Sequence, residues 1–383
     1  MRVALLTPDV DDASGTNLNA VSHASVLTGA GHKVTIFAYM DGSLCGMPVE
    51  GLKQPVWLPL WDKPWRYLFG LLPPPLHIPL VRRSLSSLRS FDVVITYAYP
   101  LTWLGYYAKK IYGAKYIWYS DGMLLPELYR LPHEKLYFWL LKSPLLWRNS
   151  ATNADLVAVE TNFLREEFKR RFGLESIVIG SLLESCLFNP GAAGDEVRRE
   201  YNLGEAPLIL YVDAIEPDKN VEILLHSFEL VRENVPNAKL VLIGKHKYGS
   251  YWRRIQRLSN ASVIFIRYVP HAKLPAFYAA STLFATCTTW EEGLSHTAIE
   301  AQACGKPVVA FRLPAHEEVV KNGETGILVD NIGNAGEFAS ALLTLLKDPA
   351  LAADMGRKAA DWASYLADKG RREVQELLNI IER

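Results

Sequence analysis

Two glutamates, Glu292 and Glu300, bracket a helix start in the stretch Thr288–Phe311, TTWEEGLSHTAIEAQACGKPVVAF. Gly293 loosens the loop, Ser295 is the expected N-cap, and a helix is predicted from His296 to Cys304. Gly305 and Pro307 stop it before a buried strand, Val308–Phe311. The backbone N–H groups of Gly293, Leu294, Ser295, His296 and Thr297 gather at the positive end of the helix dipole, an arrangement suited to an anion. Carboxylates accept hydrogen bonds from sugar hydroxyls, so an anion site flanked by two of them suits a nucleoside diphosphate carrying a hydroxyl-rich group. Lys219, in the turn Pro217-Asp218-Lys219-Asn220 before another helix, can reach a pyrophosphate as a point charge. Asp121, in the exit loop Ser120-Asp121-Gly122, can orient or deprotonate an acceptor hydroxyl; as an Asp-Gly pair it can equally be a plain turn. Gly15 lies in the turn after the first strand. There it either lets the backbone approach a phosphate or serves the turn alone.

The elements that must position these groups alternate strand with helix. Arg2–Thr7 is an apolar run fit for a strand buried on both faces, followed by a turn through Ser14-Gly15-Thr16-Asn17, a helix from Leu18 to Thr28 and a strand from Lys33 to Tyr39. Further strands are predicted at 92–96, 116–119, 154–159, 177–179, 208–213, 239–243 (followed by Gly244), 263–268, 283–285, 308–311 and 326–330. The closing helices are predicted at 335–347, 349–366 and 371–381. The order implies an α/β protein of two doubly wound, Rossmann-like domains. The Pro-Gly-Ala-Ala-Gly run from Pro190 is the expected linker, dividing residues 1–188 from 189–370.

Composition narrows the class. The 383 residues suit two domains, with 49% apolar and 21% charged side chains as in a globular protein. Lys+Arg and Asp+Glu balance at 41 each, which argues against nucleic acid as a general partner. The four cysteines are scattered without C-x-x-C or zinc spacing, and MRVALLTPDV reads as a strand and not a signal peptide; the expectation is a cytoplasmic protein. Residues 57–83, with Trp57, Trp61 and Trp65 among prolines, and 135–148, LYFWLLKSPLLW flanked by basic residues, are aromatic and apolar. They fit either interior packing or peripheral contact with the inner face of a membrane.

The run Glu292-Gly293-x6-Glu300-Ala301-x-Ala303-Cys304-Gly305-Lys306-Pro307-Val308-Val309-Ala310 resembles the E-x7-E signature of retaining, GT-B-fold glycosyltransferases of the GT4 type. The resemblance implies two Rossmann-like domains facing each other across a cleft, the last helix, 371–383, packing back on the first. It implies that Glu292 faces the donor sugar, that Glu300 holds the ribose, and that Lys219 matches the lysine of a G-R-x5-K segment neutralising the departing diphosphate. Gly15 and Gly244 fall at the family's glycine loops. No divalent metal and no cofactor are implied beyond the nucleotide-sugar co-substrate. Two departures stand out. Asp213-Ala214 replaces Gly-Arg, leaving Lys245 or Arg267 as substitute cations, and Asp121 or Ser120 occupies the loop where a histidine is usual.

The reading that follows is a hexosyltransferase moving a sugar from a nucleotide-diphospho-sugar to a hydroxyl of a sugar, polysaccharide or lipid-linked acceptor. The alternative is a nucleotide-sugar-binding protein with weak or no transfer activity, acting as a membrane-peripheral partner subunit.

Overall fold

The computed structural model describes residues 1–8, 10, 15–38, 41–44, 46–52, 82, 84–97, 101–122, 152–180, 187–246, 248–289 and 293–382. Glu292, the segment 135–148 and all of 57–83 except Arg82 lie outside the described residues. The chain divides into two compact units, Met1–Leu182 with Gly370–Arg383, and Leu183–Lys369.

In the first unit, β1 (Arg2–Leu6), α1 (Gly15–Gly29) and β2 (Lys33–Ala38) form the opening βαβ, followed by β3 (Gly42–Leu44), β4 (Met47–Gly51), β5 (Val93–Thr96), α2 (Thr102–Tyr112), β6 (Lys115–Ser120), β7 (Leu156–Val159), α3 (Asn162–Phe172) and β8 (Ile177–Val178). Among the described residues these strands make one sheet in the order β3-β4-β2-β1-β5-β6-β7-β8, parallel except for the β3–β4 hairpin. Parallel strands are covered on both faces, which is why β1 and β5 are unbroken apolar runs. Val3 pairs with Val34 on one side and Val93 on the other.

The second unit runs α4 (Asp195–Glu200), β9 (Leu208–Val212), α5 (Val221–Asn234), β10 (Lys239–Ile243), α6 (Gly249–Leu258), β11 (Val263–Ile266), α7 (Leu274–Ala280), β12 (Leu283–Thr286), α8 (His296–Ala303), β13 (Val308–Phe311), α9 (Pro314–Val319), β14 (Gly326–Val329) and α10 (Ala335–Lys347). Its sheet is fully parallel in the order β11-β10-β9-β12-β13-β14. Strand order reverses between β9 and β12, the switch point at whose carboxyl edge open α/β sheets take their ligands. One face of the sheet packs Phe228, Leu342 and Phe338; the other packs Tyr278, Ile299 and Val319.

The β3–β4 hairpin was not expected, and four helices differ from the sequence-based expectation. Helix α1 begins at Gly15 itself, because Thr16 in its first turn donates its hydroxyl to Asp121 and the start is held from outside the segment. The sequence reads as a break at Pro314 before a helix near Glu317 to Asn322, whereas helix α9 begins at Pro314 itself, which takes the N1 place where its missing N–H costs nothing. Helix α6 was not expected; only Tyr251 and Ile255 bury fully, so its apolar signature is thin. The two helices predicted after Pro349 are one, α11 (Pro349–Glu382), continuous through Gly370. Its residues Val374, Leu377, Leu378 and Ile381 join the first unit's core, where Lys115 Nζ donates to the carbonyls of Ile380 (3.2 Å) and Ile381 (3.0 Å).

Candidate active site

The second unit's switch point is built from two strand exits. Past β9 the chain runs Asp213 to Asn220, with a 3-10 turn over Pro217–Lys219 and Asn220 left-handed at φ 50°. Past β12 it runs Cys287, Thr288 and Thr289. Side chains tie the two exits together. The Cys287 thiol donates to the carbonyls of Lys219 (3.2 Å) and Asn220 (3.3 Å), and Asn220 Nδ2 donates to Thr289 Oγ1 at 2.7 Å. Burial pushes that thiol's pKa well up, so it remains a neutral donor. Behind Asn220, the Tyr251 hydroxyl accepts the Val221 N–H at 3.1 Å and donates to Glu222, closing the first turn of α5.

Lys219 is placed by this frame and bears a partner: its Nζ lies 3.0 Å from Asp213 Oδ2. Asp213 Oδ1 accepts the Ala214 N–H at 2.6 Å. Gly244, at the exit of β10, permits the arrangement, since a Cβ there would lie 1.9 Å from the Asp213 carbonyl oxygen. Lys245 follows with its ammonium 5.0 Å from the centre of the Tyr268 ring.

Helix α8 starts at His296 with Ser295 in the N-cap place, as expected, but the Ser295 side chain makes no capping bond. At ψ 89° its backbone falls short of the extended geometry that brings the hydroxyl over the helix. The Ser295 carbonyl accepts the N–H groups of Ala298 and Ile299, both at 3.1 Å. The turn formed by Gly293 to Thr297 is half-buried at the strand ends. Helix α8 closes at Cys304, and Gly305 adopts φ 72°, left-handed backbone that any other residue would hold under strain.

Glu300 lies deeper than the sequence suggested, only 4% exposed. Its Oε2 accepts from the Tyr278 hydroxyl and its Oε1 from His271 Nε2, each at 2.8 Å. A carboxylate only accepts, so the His271 proton sits on Nε2 in this contact. Burial and the neighbouring carboxylate raise the Tyr278 phenol well above its ordinary pKa, keeping it a donor. Each carboxylate oxygen has a second lone pair for a ligand hydroxyl. Nearby, the buried His316 imidazole donates from Nδ1 to the Phe311 carbonyl at 2.7 Å; burial, with the Lys219 charge adding, pulls its pKa down to about 4. It is neutral at pH 7.

In the first unit, Gly15 and Asp121 come together at the carboxyl edge of β1 and β6, where Thr16 Oγ1 donates to Asp121 Oδ2. Asp121 therefore places a negative charge at the N-terminus of α1, whose own first turn has no acidic residue. Beneath lies a buried polar floor: Asn19 Nδ2 donates to Glu160 Oε1 and His23 Nδ1 meets the Tyr97 hydroxyl, both at 2.8 Å. Sequence reasoning missed the partners of the singled-out residues: Asp213 on Lys219, Tyr278 and His271 on Glu300, Thr16 on Asp121. The Glu300 and Asp121 contacts join separate elements and leave no local pattern, whereas Asp213 lies in the same β9–α5 connection as Lys219.

Two family profiles divide this architecture between them. Glycosyltransferase Family 4 matches residues 13–179, spanning Gly15 and Asp121, and Glycosyl transferases group 1 matches 194–362, spanning Lys219 to Glu300. The chain belongs to the GT4-type group 1 glycosyltransferases. A relative of this glycosyltransferase, the GDP-mannose-dependent alpha-(1-6)-phosphatidylinositol monomannoside mannosyltransferase of Mycolicibacterium smegmatis, is 29% identical over 80% of this chain and 83% of its own. Among solved structures, Anabaena HepE, in complex with UDP and glucose, matches at TM-score 0.81 and 19% identity over 99% of both chains. The sucrose-phosphate synthase of Thermosynechococcus elongatus matches at TM-score 0.81 and 21% identity, covering 99% of this chain and 98% of that one. The fold of this glycosyltransferase is GT-B. Among the described residues no helix is long and apolar enough to cross a membrane, and no group of three His, Cys, Asp or Glu side chains is arranged to hold a metal ion.

Proposed function

We propose that this glycosyltransferase takes a hexose from a nucleoside-diphospho-sugar and passes it, with retention at the anomeric carbon, to a hydroxyl of a lipid-linked or polysaccharide acceptor. The observation that carries the reading is the convergence, at one switch point, of Lys219, the α8 N-terminal turn and Glu300. Lys219 and the amides of 293–297 receive the diphosphate and stabilise the charge that develops on its departure. Glu300 takes ribose hydroxyls on its remaining lone pairs, Glu292 faces the sugar, and Gly244 lets the strand exits close under the phosphates. In the transfer, the bond from the anomeric carbon to the diphosphate oxygen breaks and a bond to the acceptor oxygen forms; the hydroxyl proton leaves to the diphosphate or to solvent. On the acceptor side Asp121 orients that hydroxyl. No step requires a metal ion.

The lipid-linked acceptor rests on the mannosyltransferase relative, whose substrate is a phosphatidylinositol mannoside, and on the aromatic segments 57–83 and 135–148. The same segments motivate peripheral contact with the inner face of a membrane from a cytoplasmic location. A second reading, a nucleotide-sugar-binding protein with little transfer activity, draws on the Asp213–Lys219 pair, which neutralises the cation aimed at the phosphates.

Donor hydrolysis and transfer, followed with GDP- and UDP-sugars in the presence and absence of EDTA, test the proposal. Release of one nucleoside diphosphate, unchanged by EDTA and lost in Lys219→Met, is the expected result. No release with any sugar, although the diphosphate itself binds, would favour the second reading.

A further inference from the structure

We infer that Asp213 is a built-in counter-anion that the donor's diphosphate must displace from Lys219, and that it thereby sets how weakly this site holds diphosphate relative to nucleoside. The inference rests on the reading of Lys219 as the diphosphate cation.

The pair is anchored at both ends. Asp213 extends from the last residue of β9, its N–H donating to the Ile243 carbonyl at 3.1 Å and its own carbonyl packed over Gly244. The backbone cannot retreat without parting β9 from β10. Lys219 ends its turn with its own carbonyl and that of Asn220 accepting the Cys287 thiol, and Asn220 is bonded to Thr289. The single exit from β9, tied to β10 at Asp213 and braced at Lys219 and Asn220 by the β12 exit, therefore aims a carboxylate and an ammonium at each other across 3.0 Å. This is not the chance meeting of two flexible surface side chains. The Lys219 side chain is 13% exposed and that of Asp213 is 32% exposed, so the carboxylate is the member with room to rotate.

Charge decides the consequence. A carboxylate beside the ammonium leaves the pair with no net charge. A diphosphate that reaches Lys219 brings its negative charges next to Asp213. It binds only as the carboxylate swings outward and gives up Lys219, and its affinity falls by the cost of that exchange. The nucleoside part touches neither charge. With like charges separated by several ångströms of partly solvated protein, the penalty corresponds to about a tenfold loss of affinity.

The test is calorimetric titration of the full chain with GDP and UDP, and with guanosine and uridine as phosphate-free controls. Wild type is compared with Asp213→Asn, Lys219→Met and the double variant. Asn keeps an oxygen for the Ala214 N–H and removes only the charge; Asp213→Ser is the second variant should Asn unfold the loop. The expected result is that Asp213→Asn tightens the preferred diphosphate about tenfold, leaves its nucleoside unchanged, and loses its effect in the Lys219→Met background. Unchanged or weaker diphosphate binding in both Asp213 variants, or equal tightening of nucleoside and diphosphate, overturns the inference. If Lys219→Met weakens the diphosphate while the Asp213 variants do not tighten it, only the counter-anion fails. If Lys219→Met has no effect, or neither diphosphate binds wild type, the donor-site reading fails with it.

Discussion

Replacing Glu300 separates its two uses, one in the fold and one in binding. The carboxylate holds two buried donors, the Tyr278 hydroxyl and His271 Nε2, each at 2.8 Å. Hydrogen bonds to a charged group contribute about 1.5–3 kcal/mol each, and a buried donor left alone keeps its desolvation penalty. Glu300→Ala removes both bonds, strands a fully buried phenol and opens a gap between α7 and α8. We expect it to lower stability by about 3–5 kcal/mol, a large share of a domain's total. Glu300→Gln keeps the shape and one good acceptor and should cost about 1–2 kcal/mol, as should Tyr278→Phe, which leaves the carboxylate in place. Urea unfolding gives these values; calorimetry with GDP, UDP and their nucleosides gives the binding side. A ribose-holding carboxylate predicts that Glu300→Gln weakens nucleoside binding by about tenfold or more, whereas Tyr278→Phe changes it by less than about threefold. An alanine variant as stable as wild type would refute the buried bonding. A glutamine variant with undiminished nucleoside affinity would refute the ribose role. Alanine alone cannot separate the two, because loss of fold and loss of ligand look the same in a binding assay.

Other substitutions test the frame around it. Gly244→Ala forces a Cβ to within 1.9 Å of the Asp213 carbonyl oxygen; parting β9 and β10 should cost about 2–4 kcal/mol in urea unfolding and weaken diphosphate binding. Gly249→Ala, whose Cβ meets nothing within 4 Å, should be near neutral. Because the His316 pKa falls from 6.5 to about 4 on folding, the unfolded chain binds its proton first. Stability is then full above pH 6.5 and falls through the window from 6.5 to 4, with about 2 kcal/mol lost by pH 5. His316→Gln should flatten that part of a pH–stability curve. Leu378→Ala, 1% exposed in the first unit's core, should destabilise that unit by about 2–4 kcal/mol, read from its own urea transition.

The second unit was the more legible in sequence. Its strands are short apolar runs closed by turn residues, and β10, β13 and α10 fall where periodicity put them because local pattern and burial agree there. Lys219 and Glu300 were singled out by type and spacing, and Glu292, singled out the same way, lies outside the described residues. Their environment was not legible: that Glu300 is enclosed by Tyr278 and His271 depends on how distant elements pack, and that Asp213 answers Lys219 depends on how the connection between β9 and α5 turns back on itself. Helix α11 was misread for a physical reason. Gly370 disfavours helix by about 1 kcal/mol relative to alanine, yet the buried stripe through Ala363, Ala367, Val374, Leu377 and Ile381 keeps its phase across that glycine. Packing outweighs propensity there. Gly15 was misread in the opposite sense, as turn instead of helix start, because the group stabilising it, Asp121, comes from β6's exit.

Helix α11 also bears on how the chain is made. A ribosome emits the strands of the first unit early, but Val374, Leu378 and Ile381, which complete their core, emerge only after all of Leu183–Lys369. Domains that fold in order of synthesis usually finish the first before the second begins. Here the second unit can close while the first still exposes the apolar groove that awaits its last helix. A nascent chain paused between the two is a natural client for a chaperone. A stop codon just past Lys369 would spare the later-made unit and leave the earlier-made one unfinished.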